Sequence, residues 1–434
     1  MTFAEFKNFN RRVDWHRWCG KEFLLRHKRA CIEAVKHCKP GIAELLPYLF
    51  TRISDDRNLI LAWDHVVAQS GSTPGRDGEV IQRSGPAGHR INTLEGLNKY
   101  QFARQVRDAI RDGRYEHGET KLVSIPKKSG EGKRFIRVPD LIDRIVQRAI
   151  VQVLQPLVDA QFYEESFGYR PRRGRSHALA TAELLFEDGR GVVVTEDLKN
   201  AFDCVPQGRL LVVVRKYLPD AKLMELIDRV VRTPEGIGIR QGGSLSPLLL
   251  NLYLHHVLDR VWRRKHKNVP LLRYADDLAL FCDTSEQSAD ARLALEQLIQ
   301  SAGFRLKECA NSTIHDLGEG EPVEWLGFRL RWHRGEFIVG VGHDAFRGLA
   351  KEIERAMQEV GSDARLPSVL IGWIGQMGPA YLHSEHDQCL AQINSMLAAA
   401  GSRKRWRRSF FFNRWHRDYV AWTQIRRRFR PFEE

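Results

Sequence analysis

The sequence predicts an α+β fold made of more than one packed subdomain. Three observations carry this. Short runs of β-branched and apolar residues, such as GVVVTEDL and LLRYADDLALF, read as buried strands. Longer segments with apolar residues three and four apart read as helices. The two kinds are interspersed rather than regularly alternating, which separates α+β from a doubly wound sheet. The 434 residues exceed one ordinary domain, so two or three packed subdomains are expected.

In chain order, residues 1 to about 68 read as basic helices, with EFLLRHKRACIEAVKHC and ISDDRNLILAWDHVVAQ carrying the helical period. QSGSTPGRDGEV breaks the pattern with glycine and proline and is a loop. LEGLNKYQFARQVRDAIRDG returns to helix and stops at Gly113. KLVSIPKKSGEGKRFIRVP reads as two strands around a glycine-containing, lysine-rich hairpin loop. DLIDRIVQRAIVQVLQPLV is a helix with an apolar face, and GVVVTEDL is a buried strand. SPLLLNLYLHHVLDRVW is a helix with Ser246 as N-cap and Pro247 in the first helical position. LLRYADDLALF sets apolar runs on either side of an acidic tip, the pattern of a hairpin. From about residue 343 the pattern is helical again, then basic.

Charge and cysteine content narrow the class. Lys and Arg total 68 against 54 acids, a formal net charge of +14. Such an excess suits a polyanionic partner, because cations displace the counterions condensed on phosphates. The final stretch, SRKRWRRSFFFNRWHRDYVAWTQIRRRFRPF, interleaves that charge with Trp, Phe and Tyr. Its aromatics are expected in a core. Its arginines, Arg403, Arg405, Arg407 and Arg408 among them, are expected on phosphates. The seven cysteines include no CxxC pair, which fits free thiols in a reducing compartment. His27, Cys31, His37 and Cys38 lie close together but lack the paired-ligand spacing of a zinc site, so an ordinary helical face is the reading. No run approaches the roughly 20 apolar residues that span a bilayer. The N-terminus lacks the apolar core of a signal peptide. A cytoplasmic protein with no membrane partner is expected.

Two places set acids among apolar residues. Asp276 and Asp277 lie between LLRY and LALF. Adjacent carboxylates repel, and burial disfavours both charges. A solvated turn explains such a pair blandly, since Asp favours turns. Tyr274 and the two apolar flanks argue instead for a divalent cation at the tip. GVVVTEDLKNAFD carries a second strand into Glu196, Asp197 and later Asp203. Two such strands side by side gather three carboxylates. That suits two cations roughly 3.5–4 Å apart, which activate an attacking hydroxyl and stabilise the leaving oxygen of an in-line displacement.

From about residue 60 to about 385, the order of blocks resembles the reverse-transcriptase family, most closely the bacterial branch around group II intron enzymes. AWDHVVAQSGSTPGRDG resembles the family's N-terminal extension motif, and IPKKSGEGKRFIRVPDLIDRIVQRAI its fingers block. FYEESFGYRPRRGRSHAL resembles the next block, VVVTEDLKNAFDCV motif A, GIRQGGSLSPLLLNLYL motif B and RYADDLALF motif C. GFRLKECANSTIHDL resembles motif D, EWLGFRL the primer grip, and VLIGWIGQMGPAYL the start of the thumb. The resemblance implies a right-hand polymerase with fingers, a palm of antiparallel sheet plus helices, and a helical thumb. The boundaries it suggests are a basic N-terminal extension over 1–68, fingers over 69–190, palm over 191–340, and thumb with basic aromatic tail over 341–434.

The same resemblance assigns roles. Asp197 and Asp276 would be the principal ligands of two magnesium ions, with Asp277 and the backbone carbonyl of Leu198 completing the set and manganese as a substitute. Phe202 would be a steric gate against a ribose 2′-hydroxyl. Gln241 would contact the incoming deoxynucleotide, with Gly242 and Gly243 allowing close backbone approach. Lys133 and Arg134 would hold its triphosphate. Arg170, Arg172, Arg173 and Arg175 would grip template phosphates. Three positions depart from the family pattern: Ala201 stands where a second aromatic is frequent, Arg137 where glycine is frequent, and Asn311 where motif D carries lysine. Lys307 is then a loose candidate for the general acid.

After the thumb motif, about fifty residues contain no His-Asn-His or cysteine-rich nuclease pattern. The resemblance is therefore strongest to stand-alone reverse transcriptases of phage defence, which imply cDNA synthesis from a structured non-coding RNA. The alternatives are a group II intron-encoded reverse transcriptase and maturase without endonuclease, and an RNA-binding chaperone with a vestigial polymerase site. Protein partners and oligomeric state are not legible.

Overall fold

A computed structural model of the protein describes residues 15–36, 38–70, 73–84, 91–94, 97–126, 133–307, 313–358 and 362–429. The chain divides into two units, each drawn from three separated stretches. The first comprises Met1–Ile125, Phe135–Phe162 and Asn200–Val257; the second comprises Pro126–Arg134, Tyr163–Lys199 and Leu258–Glu434.

The first unit is mainly helical. Helices Trp15–Lys36, Cys38–Ile53 and Asp56–Ser70 pack with the long helix Leu141–Asp159. Leu49, Ile53, Leu59, Trp63, Ile145, Ile150 and Leu154 are buried among them. Burying such side chains contributes about 1.5–3 kcal/mol each, before the entropy of ordering them is subtracted. One polar group is enclosed with them: the Asn58 amide donates to the carbonyls of Ile53 and Ala149, both at 3.0 Å, and so locks one helix to another. Strands β1 (Gln82–Ser84), β2 (Ile91–Leu94) and β3 (Leu97–Asn98) form a small antiparallel sheet. The helix expected from about Leu94 begins only at Lys99. Asn98 stops it by capping the amides of Tyr100 and Gln101, while the Gln101 side chain returns to the Asn98 amide. β4 (Lys121–Pro126) and β5 (Lys133–Val138) form the expected pair.

At the start of helix Leu141–Asp159, two carboxylates organise the loops beside it. Asp140 accepts from the amides of Arg76 and Asp77, within the PGRDG stretch. Asp143 accepts from the Tyr115 hydroxyl and the Gly118 amide. Helices Ala201–Cys204, Gln207–Tyr217, Ala221–Val231 and Ser246–Leu254 complete the unit. Ser246 is not the N-cap of the last helix. Leu245 holds that place, and the Ser246 hydroxyl instead donates to the Arg240 carbonyl at 2.7 Å.

The second unit carries the central sheet. β6 (Val192–Asp197), β7 (Leu271–Tyr274), β8 (Asp277–Cys282) and β9 (Ile314–Asp316) stand in the order β7-β8-β6-β9, all antiparallel. Val192 to Val194 and Leu278 to Cys282 are buried at every position, so both faces of the sheet are covered and the strands lack polar alternation. Helices Arg175–Glu187 and Ser285–Ser301 also belong to this unit. A second antiparallel sheet follows, of β10 (Val323–Trp325), β11 (Phe328–His333) and β12 (Glu336–Val341). Helices His343–Gln358, Ser362–Gln376, His386–Ala399 and Arg408–Arg428 end the described chain. Phe186, Phe281, Phe328, Phe411 and Trp415 share one apolar core, in which the Trp415 indole donates to the Met377 carbonyl at 2.7 Å. The mixed α+β class is as the sequence predicts.

Candidate active site

β6 and the β7–β8 hairpin bring the motif acids together at one end of the sheet. β6 pairs with β8 so that Asp197 stands opposite Asp277, and β7 pairs with β8 so that Tyr274 stands opposite Asp277. This leaves Ala275 and Asp276 as the two-residue turn. The Leu198 amide donates to the Asp276 carbonyl at 3.1 Å and ties the two strand ends. Glu196 takes no part. Neighbouring strand residues face opposite sides, and Glu196 is buried against Arg292 at 2.6 Å and the Thr313 hydroxyl at 3.0 Å.

This hairpin is held by residues that the motifs did not single out. Ala275 has φ +61°, a left-handed conformation uncommon for a side chain with Cβ. Its carbonyl accepts from the Arg273 guanidinium at 3.2 Å. Arg273 also grips Asp259 with two bonds, 2.8 and 2.6 Å, the side chains being 1% and 8% exposed. On the other side, the Phe167 amide donates to the Arg273 carbonyl at 2.8 Å. This draws Gly168 so close that a Cβ there would overlap the Ala275 backbone nitrogen. An arginine inside an apolar strand was the available signal for Arg273; nothing in sequence spacing points to Asp259.

The carboxylates feel one another. Burial first, then repulsion from Asp197 and Asp276, pushes the Asp277 carboxyl up to about 7, against the opposing pull of Lys307. The Lys307 amide donates to the Asp197 carbonyl at 2.8 Å, and its ammonium lies 3.8 Å from the Asp197 carboxylate. Asn311 lies outside the described residues.

The residues expected around a nucleotide belong to the first unit, apart from Lys133 and Arg134. Phe202 sits half-buried in helix Ala201–Cys204, its carbonyl accepting from the Ile239 amide at 2.7 Å; Ala201 beside it is buried. The Gln241 carbonyl accepts from the Arg137 amide at 2.8 Å, and its side-chain amide stands 3.5 Å from Asp203. Gly242 has φ +114°, and a Cβ there would lie 2.7 Å from the Arg137 carbonyl oxygen, so glycine is required on both counts. Lys133 and Arg134 open β5, but their side chains lie outside the described residues.

Residues 125–330, which contain all three aspartates, match the family described as reverse transcriptase (RNA-dependent DNA polymerase). These residues are a reverse-transcriptase domain. The domain is related to those of group II intron enzymes. The chain is 34% identical over 182 residues to Protein YkfC of Escherichia coli (strain K12), covering 37% of this chain and 48% of that one. It is 28% identical over 185 residues to the group II intron-encoded protein LtrA of Lactococcus lactis subsp. cremoris, covering 41% of this chain and 31% of that one. The chain thus spans about half or less of the length of these relatives. Among solved structures, apo telomerase from Candida tropicalis aligns at TM-score 0.36 and 13% identity, covering 59% of this chain and 63% of that one.

The donor set of the reverse-transcriptase domain fits a hard divalent cation. Three carboxylates at strand ends and a neighbouring backbone carbonyl are oxygen ligands of the kind magnesium and manganese take. Among the described residues, no three His, Cys, Asp or Glu side chains form a ready-made cage. Magnesium needs none, because it is held by one or two carboxylates together with substrate phosphates.

The four arginines near the domain's FGYRP stretch divide. Arg170 is buried and donates to the carbonyls of Tyr163 and Ser166, so it braces a loop and is not displayed to a template. Arg173 pairs with Glu164 and lies over the Phe429 ring. Arg175 donates to the Leu326 carbonyl and to Gln376. Arg172 is exposed. Outside the domain, Arg403, Arg405 and Arg407 are exposed in a segment without regular structure, and Arg408 pairs with Asp387 at 2.8 Å. Phe411, Trp415 and Trp422 are buried, as expected of the tail's aromatics, whereas Phe410 is half exposed. Among the described residues no helix is long and apolar enough to cross a membrane.

Proposed function

We propose that the protein is an RNA-directed DNA polymerase that copies a structured non-coding RNA into cDNA, in the cytoplasm and in defence against phage. The observation that carries the polymerase reading is the convergence of Asp197, Asp276 and Asp277 at one end of an antiparallel sheet inside the matched domain. Two divalent ions, magnesium or manganese, would there activate the primer hydroxyl and neutralise the leaving pyrophosphate. Asp197 and Asp276 act as principal ligands, with Asp277 and the Leu198 carbonyl completing the set. Phe202 excludes the 2′-hydroxyl, Gln241 meets the incoming dNTP, Lys133 and Arg134 hold its phosphates, and Lys307 is the candidate general acid. Among the arginines, Arg172 and the exposed tail residues are free to take RNA phosphates.

The dedicated RNA and the defence role rest on the basic helical N-terminal stretch and the basic aromatic tail. Both lie beyond residues 125–330 and offer surface for a folded RNA, which proteins recognise by shape and splayed bases. A second reading, an intron-encoded enzyme of splicing and mobility, is favoured by the likeness to LtrA.

Replacing Asp276 and Asp277 together with Ala is expected to abolish nucleotide incorporation and leave the melting temperature unchanged or higher, since repulsion is relieved. Normal primer extension by that variant would sink the metal assignment. Phage plating on cells carrying the locus, with and without Asp276→Ala, tests the defence role. Protection by the intact locus alone is expected. Equal protection would show that polymerisation is not the defensive activity. No protection, with an intron ribozyme flanking the gene, would return the protein to the mobility class.

A further inference from the structure

A buried polar chain in the first unit leads to the RQGG loop. The Tyr115 hydroxyl donates to Asp143 at 2.7 Å. The Asp143 carboxylate accepts from the Gly118 amide at 3.0 Å and lies 3.5 Å from His117 Nδ1. His117 Nε2 is 3.1 Å from the Gln147 side-chain nitrogen. The Gln147 side-chain oxygen lies 3.5 Å from the Leu245 amide and directly against Gly243, where a Cβ would overlap it. The His117 and Asp143 side chains are 1% and 3% exposed.

The network fixes the proton. His117 Nδ1 faces two acceptors, the Gly118 carbonyl at 2.6 Å and Asp143, so Nδ1 carries the hydrogen and Nε2 is an acceptor. Gln147 must then turn its NH2 group to His117 and its oxygen to the loop. Elsewhere the loop is held at its carbonyls, that of Gln241 by the Arg137 amide and that of Arg240 by the Ser246 hydroxyl. The Gln147 contact differs, because its sign depends on which way one amide points.

We propose that His117 and Gln147 are positioning residues that set the Arg240–Gly243 loop for the incoming nucleotide, with Tyr115 and Asp143 holding the tautomer. This rests on the polymerase reading, which gives Gln241 the nucleotide contact. The charged groups facing His117 are Asp143, Asp140 and Arg240; burial dominates them and lowers its pKa, which keeps the ring neutral and Nε2 free to accept. A flipped amide would set an NH2 group against the Leu245 N–H, two donors facing each other in a buried place.

The test uses the full chain in primer extension with saturating primer–template and varied dTTP. His117→Leu removes the acceptor and is expected to raise KM for dTTP about tenfold while kcat falls less than about threefold. His117→Gln puts a side-chain oxygen where Nε2 stood and is expected to hold KM within about twofold of wild type. Gly243→Ala evicts the same amide, so adding His117→Leu to it should change KM no further. Unchanged KM in His117→Leu overturns the proposal. So does an equal rise in both His117 variants that follows their melting temperatures, or full additivity with Gly243→Ala. If the wild type extends no primer, the polymerase reading fails by itself. The calorimetric Kd of dTTP with Mg2+ on the same proteins then decides: the same pattern supports the positioning role, and a flat pattern or no binding overturns it.

Discussion

Arg273 shows how much of an acidic hairpin can rest on a residue that is not one of its acids. Its guanidinium satisfies Asp259 in two places and the carbonyl of Ala275 in a third. Removing it leaves a carboxylate enclosed without its partner, which costs far more than the intact pair contributes. Arg273→Met is expected to destabilise the protein by about 3–5 kcal/mol in urea unfolding, and Arg273→Met with Asp259→Leu to recover part of that loss. Equal stabilities of wild type and Arg273→Met would show that the pair does not brace the turn. His27 offers a second test at this scale. It is buried, donates to the Val153 carbonyl at 2.8 Å, and accepts from the Arg52 guanidinium. Burial first, then Arg52, lowers its pKa against the raising effect of Val153. The folded protein therefore binds this proton less readily than the unfolded chain. Its stability contribution is present above about pH 6.5, the ordinary histidine value, and is lost as pH falls below it. Relative to His27→Gln, wild type is expected to lose up to about 1.4 kcal/mol per pH unit below that point. Urea melts at pH 7.5 and 5.5 measure the difference; a constant gap would mean that folding does not shift His27, and a gap that moves in wild type's favour at pH 5.5 would mean that the folded protein holds the proton more tightly.

At the scale of elements, Gly168 is the sharpest case. The segment around Phe167 runs beside β7 and brings backbone against the Ala275 turn. Gly168→Ala is expected to displace the turn and lower kcat at least about tenfold while the protein stays folded; wild-type kcat would mean the turn relaxes freely. β6, β7 and β8 of the central sheet were legible because covered sheets produce unbroken apolar runs, and the acids at their ends interrupt those runs abruptly; the short β9 carries no such run. The β4–β5 pair was legible from its glycine-lysine loop. Elements decided by side-chain hydrogen bonds were not. Asn98 starts its helix several residues later than the apolar period suggests, and Ser246 donates to Arg240 instead of capping. Arg170 carries the same lesson for the site, since a run of arginines looks alike in sequence whether a member faces phosphate or folds back on carbonyls. The His117–Gln147 chain joins residues thirty positions apart through ring and amide orientations that no spacing rule contains.

For the whole molecule, the net charge of +14 suits a polyanionic partner, which in the proposed function is RNA. Replacing Arg403, Arg405, Arg407 and Arg408 with Gln is expected to weaken RNA binding and flatten its salt dependence, each lost phosphate contact lowering the log–log slope by about 0.7–0.9. Arg408, already paired with Asp387, should contribute least. Filter binding across a salt series measures this, and an unchanged slope would make the cluster a solvated surface. The division of the chain has a further consequence, for its birth on the ribosome. The polypeptide passes from one unit to the other five times. No early length of nascent chain therefore contains a finished unit. β6, bearing Asp197, emerges well before β8, which completes its pairing on the Asp277 side, and its other partner β9 comes later still. A growing chain must carry a strand of bare valines, open on both edges, until the hairpin arrives. Slow translation or early termination between them would expose a surface prone to self-association.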